Sequence, residues 1–160
     1  MLNGKLIAVT VFMMMTLSSC LLDLHNEART SSGLPELIYN ADLKVESQKV
    51  SERLAANCAG VGNRPLGSYH TSEGEIKRIM TRIFGPTAWT SADENIGIIQ
   101  IIPGSEQNLV LAMHEGYMGS ESHRNTVLSP KLNTAAEGWA AAKCGGKEYA
   151  WNATLFVELK

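Results

Sequence analysis

The sequence is poor in several features at once, and each shortage excludes something. Its 14 Lys and Arg do not outnumber its 16 Asp and Glu, and they form no basic stretch, so nothing points to nucleic acid. No internal repeat or low-complexity segment appears. No apolar run reaches the roughly 20 residues that a membrane helix needs. There is no G-x-S-x-G segment, and so no nucleophile elbow. Cysteine is scarce, with three in 160 residues, and that length suits one domain with its own core.

What is present begins with a leader. After Lys5 comes LIAVTVFMMMTL, a run of twelve apolar and small residues closing on Ser-Ser-Cys, which matches the h-region of a secretory signal. Residues 1–20 are therefore read as a signal peptide and 21–160 as the domain. Leu17-Ser-Ser-Cys20 resembles a bacterial lipobox, in which Cys20 becomes the lipidated first residue. The same residues suit ordinary cleavage, with small Ser18 and Cys20 before the cut. Either route removes Cys20 from disulfide chemistry and leaves Cys58 and Cys144, read as a bridge closing a long loop or else as two free thiols. Removing residues 1–20 takes away Lys5 alone among charged side chains, which lowers the formal charge of −2 by one. The sequon Asn152-Ala-Thr154 would accept a glycan only in a eukaryotic secretory route, and within YAWNATLFVEL it reads as strand.

Periodicity predicts a helix over Leu21–Ser31, stopped by Gly33 and Pro35. Asn40 caps a second, with Leu43, Val50 and Leu54 in one stripe and Ser47 between them. A Gly, Asn and Pro loop follows. Thr71 or Ser72 caps a third helix, with Ile76, Met80 and Ile83 inward and Gly85-Pro86 at its end. Glu94–Ile102 reads as a strand. Ser105 is expected to cap a fourth helix, with Glu106 in its first turn and Leu109, Met113 and Tyr117 on one face; its end delivers His123. Two terminal strands join at Gly145-Gly146. Helices flanking a short sheet imply a layered α+β sandwich.

Several separated segments resemble one family. LLDLHNEARTSSGLPELIYNADL, SYHTSEGE, ENIG, YMGSESHRNTVLSP and EGWAAA are similar, in order, to the signatures of the CAP superfamily (cysteine-rich secretory proteins, antigen 5 and pathogenesis-related 1 proteins; the SCP domain). The likeness spans Leu21 to Lys160 and implies a three-layer α-β-α sandwich. It also implies a central cleft lined by two His and two Glu. Matching motif by motif puts His70, Glu94 and His123 at three of these positions. The fourth, a Glu in the family's W-x-x-E, falls on Ser120, with Tyr117 in place of the Trp. Glu121 is the neighbouring carboxylate that would substitute.

Two neutral imidazoles, His70 and His123, with a carboxylate are a reasonable ligand set for Zn²⁺ or a similar divalent ion. That reading follows from the resemblance, since the local spacing shows no H-x-x-x-H. Its alternative is a hydrogen-bonded polar cluster. A serine hydrolase would have to combine Ser120 or Ser122 with His123 and Glu94, yet adjacent side chains diverge on helix and strand alike. Metal-assisted hydrolysis would use His70 and His123 on the ion and Glu94 as base. His25 and Arg29, one helical turn apart, are expected to pack or hydrogen-bond within the fold. His114, beside Glu115, is expected to be a solvated or half-buried helix residue. Arg124 and Asn125 are expected to fix the loop, and Trp89, Trp139 and Trp151 to belong to the core or a sheet face.

The resulting expectation is a secreted or surface-anchored, non-enzymatic domain that needs no cofactor. Its cleft would bind a small apolar ligand such as a lipid or sterol, a peptide, or a divalent ion. The alternative is a metal-assisted hydrolase, protease or esterase, using the same cleft. Contact with a membrane is expected only if Cys20 is lipidated.

Overall fold

The computed structural model describes residues 20–105 and 107–160; all of the leader read over residues 1–20 except Cys20, and the first-turn role of Glu106, lie outside the described residues. The helices begin where short polar side chains can take orphan amides. Asn40 accepts the Leu43 amide at 2.9 Å and opens α2 (Ala41–Ala56). Ser72 accepts the Glu75 amide and opens α3 (Glu73–Phe84), which ends at Gly85 with φ 85°. The first helix, α1 (Leu21–Ser31), starts directly after Cys20, whose amide donates to Asp23 at 3.0 Å.

Between α1 and α2 lies a two-residue strand, β1 (Ile38–Tyr39), and after α3 comes β2 (Trp89–Ile101). Two helices follow, α4 (Leu109–Gly119) and α5 (Glu121–Val127), then β3 (Thr134–Cys144) and β4 (Lys147–Leu159). The sheet order is β1-β3-β4-β2, with β1 parallel to β3 and the other pairs antiparallel. Gly145 and Gly146, at φ 60° and 81°, make the tight turn between β3 and β4.

Alternation along the central β4 builds two cores. Trp151, Ala153, Leu155 and Val157 meet Leu43, Val50 and Leu54 of α2 and Ile79 and Met80 of α3. Phe156 faces the other way, toward Leu22 of α1 and Val127 of α5. Helices on both sides of the mixed sheet give the expected three-layer sandwich.

Close approach is specified by small residues. A Cβ on Gly138 would stand 2.3 Å from the Gln48 amide nitrogen, and the Ser47 and Ser51 hydroxyls donate to Ala136 O and Gly138 O at 2.8 Å. The Cys58–Cys144 disulfide ties the loop after α2 to the end of β3 across 86 residues, whereas Cys20 is free and exposed. Asn152 is buried, and its amide nitrogen donates to Gly138 O at 2.9 Å, so a glycan cannot be carried there in the folded chain. Trp151 is likewise in the core, its ring nitrogen donating to Ala59 O.

Three expectations are corrected. Strand β2 begins at Trp89, five residues before Glu94, because Trp89–Asp93 continue the ladder to β4. Asn108, not Ser105, caps α4: its side chain accepts the Leu111 amide at 3.0 Å, while the Ser105 hydroxyl turns back to Ile102 O. His123 does not end α4; the chain turns extended at Ser120 (φ −94°, ψ 125°) and restarts as α5.

Candidate cleft at the edge strand

The edge strand β2 carries residues to both faces of the sheet. Ile96 lies in the core beneath α2, and alternation puts Glu94 on that same face, with Asp93 and Asn95 on the opposite one. A 3₁₀ turn, Leu66–Tyr69, brings His70 up to Glu94. Arg53 of α2 fixes this segment by donating to Tyr69 O at 3.2 Å and to Thr71 Oγ1 at 3.0 Å.

The Glu94 side chain is almost fully buried and hydrogen-bonded through both oxygens. Oε1 lies 2.9 Å from His70 Nδ1 and accepts the Thr71 amide at 2.9 Å; Oε2 accepts the Thr71 hydroxyl at 2.5 Å. The carboxylate oxygen accepts, so Nδ1 of His70 is the donor and Nε2 points away from Glu94. The His70 side chain is 42% exposed, so Nε2 can be reached from solvent.

His123 approaches from the other face. Asn95 donates to its main-chain carbonyl at 3.1 Å, and its ring meets Tyr117 edge-on with centroids 5.1 Å apart. Burial holds the His123 imidazole below its ordinary pKa, the charge of His70 adds to this, and Asp93 opposes it. His70 and Glu94 thus meet on one face of β2, and the His123 segment meets the strand from the other. Beside the His123 segment, on the α5 side, is a hollow of about 270 Å³ lined by Asp93, Ser122, Asn125, Thr126 and Leu132 among others. There the Thr126 hydroxyl donates to Asp93 at 2.8 Å.

Ser120 supplies no carboxylate, and its hydroxyl lies 3.3 Å from that of Ser122. Glu121 stands exposed in the first turn of α5. Among the described residues, no three His, Cys, Asp or Glu side chains are grouped to hold a metal ion. Glu94 stands behind His70 and orients its ring. Thr71 was legible only as a helix cap, although it gives Glu94 two of its three hydrogen bonds.

The remaining polar candidates are structural fixtures. Arg29 is fully buried and donates to the carbonyls of Pro35, Val127, Ser129 and Leu132 at 2.8–2.9 Å. His25 turns from Arg29 to pair with His114, Nδ1 to Nδ1 at 2.9 Å, an arrangement in which one ring donates and the other accepts. Arg124 fixes the α4–α5 junction by donating to Met118 O.

The three-layer sandwich with helices on both faces of a mixed sheet defines a fold class, and sequence comparison names the family. A model of the Cysteine-rich secretory protein family (CAP) matches residues 22–158, and the chain belongs to that family. Among solved structures it is similar to an outer surface protein from Borrelia burgdorferi (TM-score 0.56, 16% identity, covering 88% of this chain and 90% of that one). A cysteine-rich secretory protein from Staphylococcus aureus matches at TM-score 0.54 and 17% identity over 86% of this chain and 37% of its own length. An extracellular SCP-domain protein from Bacillus anthracis matches at 0.51 and 21% over 86% and 39%. This chain thus spans less than two fifths of the latter two proteins. No curated protein matches.

Proposed function

We propose that the domain is held on the outer surface of a cell and acts by binding through the His70–Glu94–His123 cleft, without catalysis. The observation that carries this reading is the engagement of Glu94. A metal-assisted hydrolase needs a carboxylate free to take a proton from water. With three hydrogen bonds accepted, this one serves instead to hold His70 in a single tautomer and orientation. What the cleft offers a ligand is the free Nε2 of His70 and the neutral ring of His123, with polar groups beside them. Such a lining suits a divalent ion or the polar edge of a peptide better than a sterol or lipid.

Surface attachment is supported by the lipobox-like Leu17-Ser-Ser-Cys20, by the free, exposed thiol of Cys20, and by family likeness to outer-surface and extracellular proteins. In this reading the Cys20 sulfur displaces a phosphate leaving group from a diacylglycerol-bearing phospholipid. The S–C bond forms, the glycerol C–O bond breaks, and the thiol proton departs.

Calorimetric titration of the mature protein with Zn²⁺, repeated on His70→Ala and His123→Ala, tests the cleft. Binding heat in the parent and its loss in both variants is expected. No heat in the parent removes the ion and leaves the peptide. Peptidase or esterase activity that His123→Ala abolishes would overturn the binding reading. A diacylglyceryl mass on Cys20 is expected, and a free N-terminus at Leu21 would exclude the anchor.

A further inference from the structure

Thr71 has a single hydroxyl proton, and the direction of that proton orders a chain of groups behind His70. The carboxylate Oε2 of Glu94 accepts it. The lone pairs of the Thr71 hydroxyl are left for a donor on its other side, and Arg53 Nη2 stands there at 3.0 Å. A guanidinium has no accepting atom, so the order cannot be reversed. The chain runs from Arg53 to Thr71 to Glu94, where the Nδ1 proton of His70 arrives from the opposite side.

The same nitrogen makes a second bond. Arg53 Nη2 also donates to Tyr69 O at 3.2 Å, so one NH₂ group grips the residues on either side of His70. Among the described residues, Glu94 has no Lys or Arg partner and Arg53 no carboxylate partner. The Thr71 hydroxyl is what joins the two, and Thr71 is buried while Arg53 is exposed.

The helix that presents Arg53 is itself held to the sheet. Ser47 and Ser51 donate from α2 to Ala136 O and Gly138 O of β3, and Leu54, next to Arg53, shares a core cluster with Ile96 of β2. Arg53 and Glu94 therefore belong to one rigid frame, and the Thr71 hydroxyl closes the gap between them. Hydrogen bonds in series polarise one another, so loss of the first weakens those after it.

We propose that Arg53 is a positioning residue for the cleft, acting through Thr71 and Glu94 to hold the His70 ring with Nδ1 on the carboxylate and Nε2 turned outward. Its consequence for binding rests on the cleft reading above; its geometry does not. Arg53→Met and Thr71→Val remove a donor and keep the bulk, whereas Arg53→Lys and Thr71→Ser keep one. Two-bond ¹H–¹⁵N spectra of the metal-free protein at about pH 8, above the ordinary histidine range, read which nitrogen of His70 carries the proton. The parent is expected to show Nδ1–H. In Arg53→Met and Thr71→Val the Nε2–H form is expected to rise roughly twofold or more, because the bond that selects the tautomer is weakened. Arg53→Lys and Thr71→Ser are expected to fall between these variants and the parent. With Zn²⁺ as probe, affinity in Arg53→Met is expected to fall roughly three- to tenfold, less than the 10–100-fold that follows loss of a group bonded directly to a metal-bound imidazole. An Arg53→Met protein with the parent's ring signature and only a lowered melting temperature would make Arg53 a brace for the loop and overturn the proposal. Nε2–H as the parent's main form would overturn it too. A shifted signature in the variants, with no Zn²⁺ heat in the parent, supports the proposal and removes the ion from the cleft reading.

Discussion

His70 and Glu94 meet with Nδ1 2.9 Å from Oε1, and Thr71 fills the rest of the carboxylate. Glu94→Gln keeps the shape but leaves a single accepting oxygen, so at least one of the three donors loses its partner. Hydrogen bonds to a charged group contribute roughly 1.5–3 kcal/mol each. The urea midpoint of the variant is expected to fall by the equivalent of about 2 kcal/mol with unchanged slope. An unchanged midpoint would show that the carboxylate is not engaged as described.

The buried histidine pair makes stability sensitive to acid. Burial, with the charge of His114 next, pushes the His25 pKa down to about 3; burial also lowers His114, against the opposing pull of Glu115 and Glu27. Below pH 6.5 the unfolded chain takes up protons that the folded pair refuses, so this contribution is full above pH 6.5 and is lost as pH falls toward 3. The carboxyl of Glu137, raised by burial, works in the opposite sense. The melting temperature is expected to drop between pH 7 and pH 4.5, and His25→Phe to flatten that slope. An equally steep slope in the variant would place the sensitivity elsewhere.

Arg29 gathers four carbonyls from the turn after α1 and the segment after α5. Arg29→Lys keeps the charge but offers three donors on a flexible stem in place of a planar fork. A loss of about 3 kcal/mol or more in chemical denaturation is expected, because carbonyls are left buried and unpaired. A loss below about 1 kcal/mol would contradict this role.

The disulfide closes 86 residues. Replacing Cys58 and Cys144 by serine is expected to cost roughly 2–4 kcal/mol. The buried Cys144 end should open first, detected as faster amide exchange along the β3–β4 turn. Equal exchange in the two proteins would mean that the bridge merely decorates a loop held by packing.

The helices α2 and α3 and the β3–β4 hairpin were legible because their signals are local: the Leu43, Val50 and Leu54 stripe, the caps at Asn40 and Ser72, and the Gly-Gly turn. The split between α4 and α5 was not, since nothing around Ser120 signals an extended residue inside an otherwise helical pattern. Strand β2 was read too short because Thr90, Ser91 and Asp93 are polar, and on an edge strand the ladder to β4, not apolar alternation, decides. His25 and His114 stand 89 positions apart, and no periodicity could join them. His70, Glu94 and His123 were reached through family motifs; their spacing alone places them nowhere near each other.

Strand β2 serves both faces of the sheet, with Glu94 holding His70 on one and Asn95 holding the His123 segment on the other. From Glu94 to its end at Ile101 it extends about 23 Å, at roughly 3.3 Å per residue. Its length has a parity as well. Two added residues ahead of Glu94 would keep the carboxylate on the face of His70, whereas a single insertion that shifted the pairing would send it to the His123 side and part it from His70.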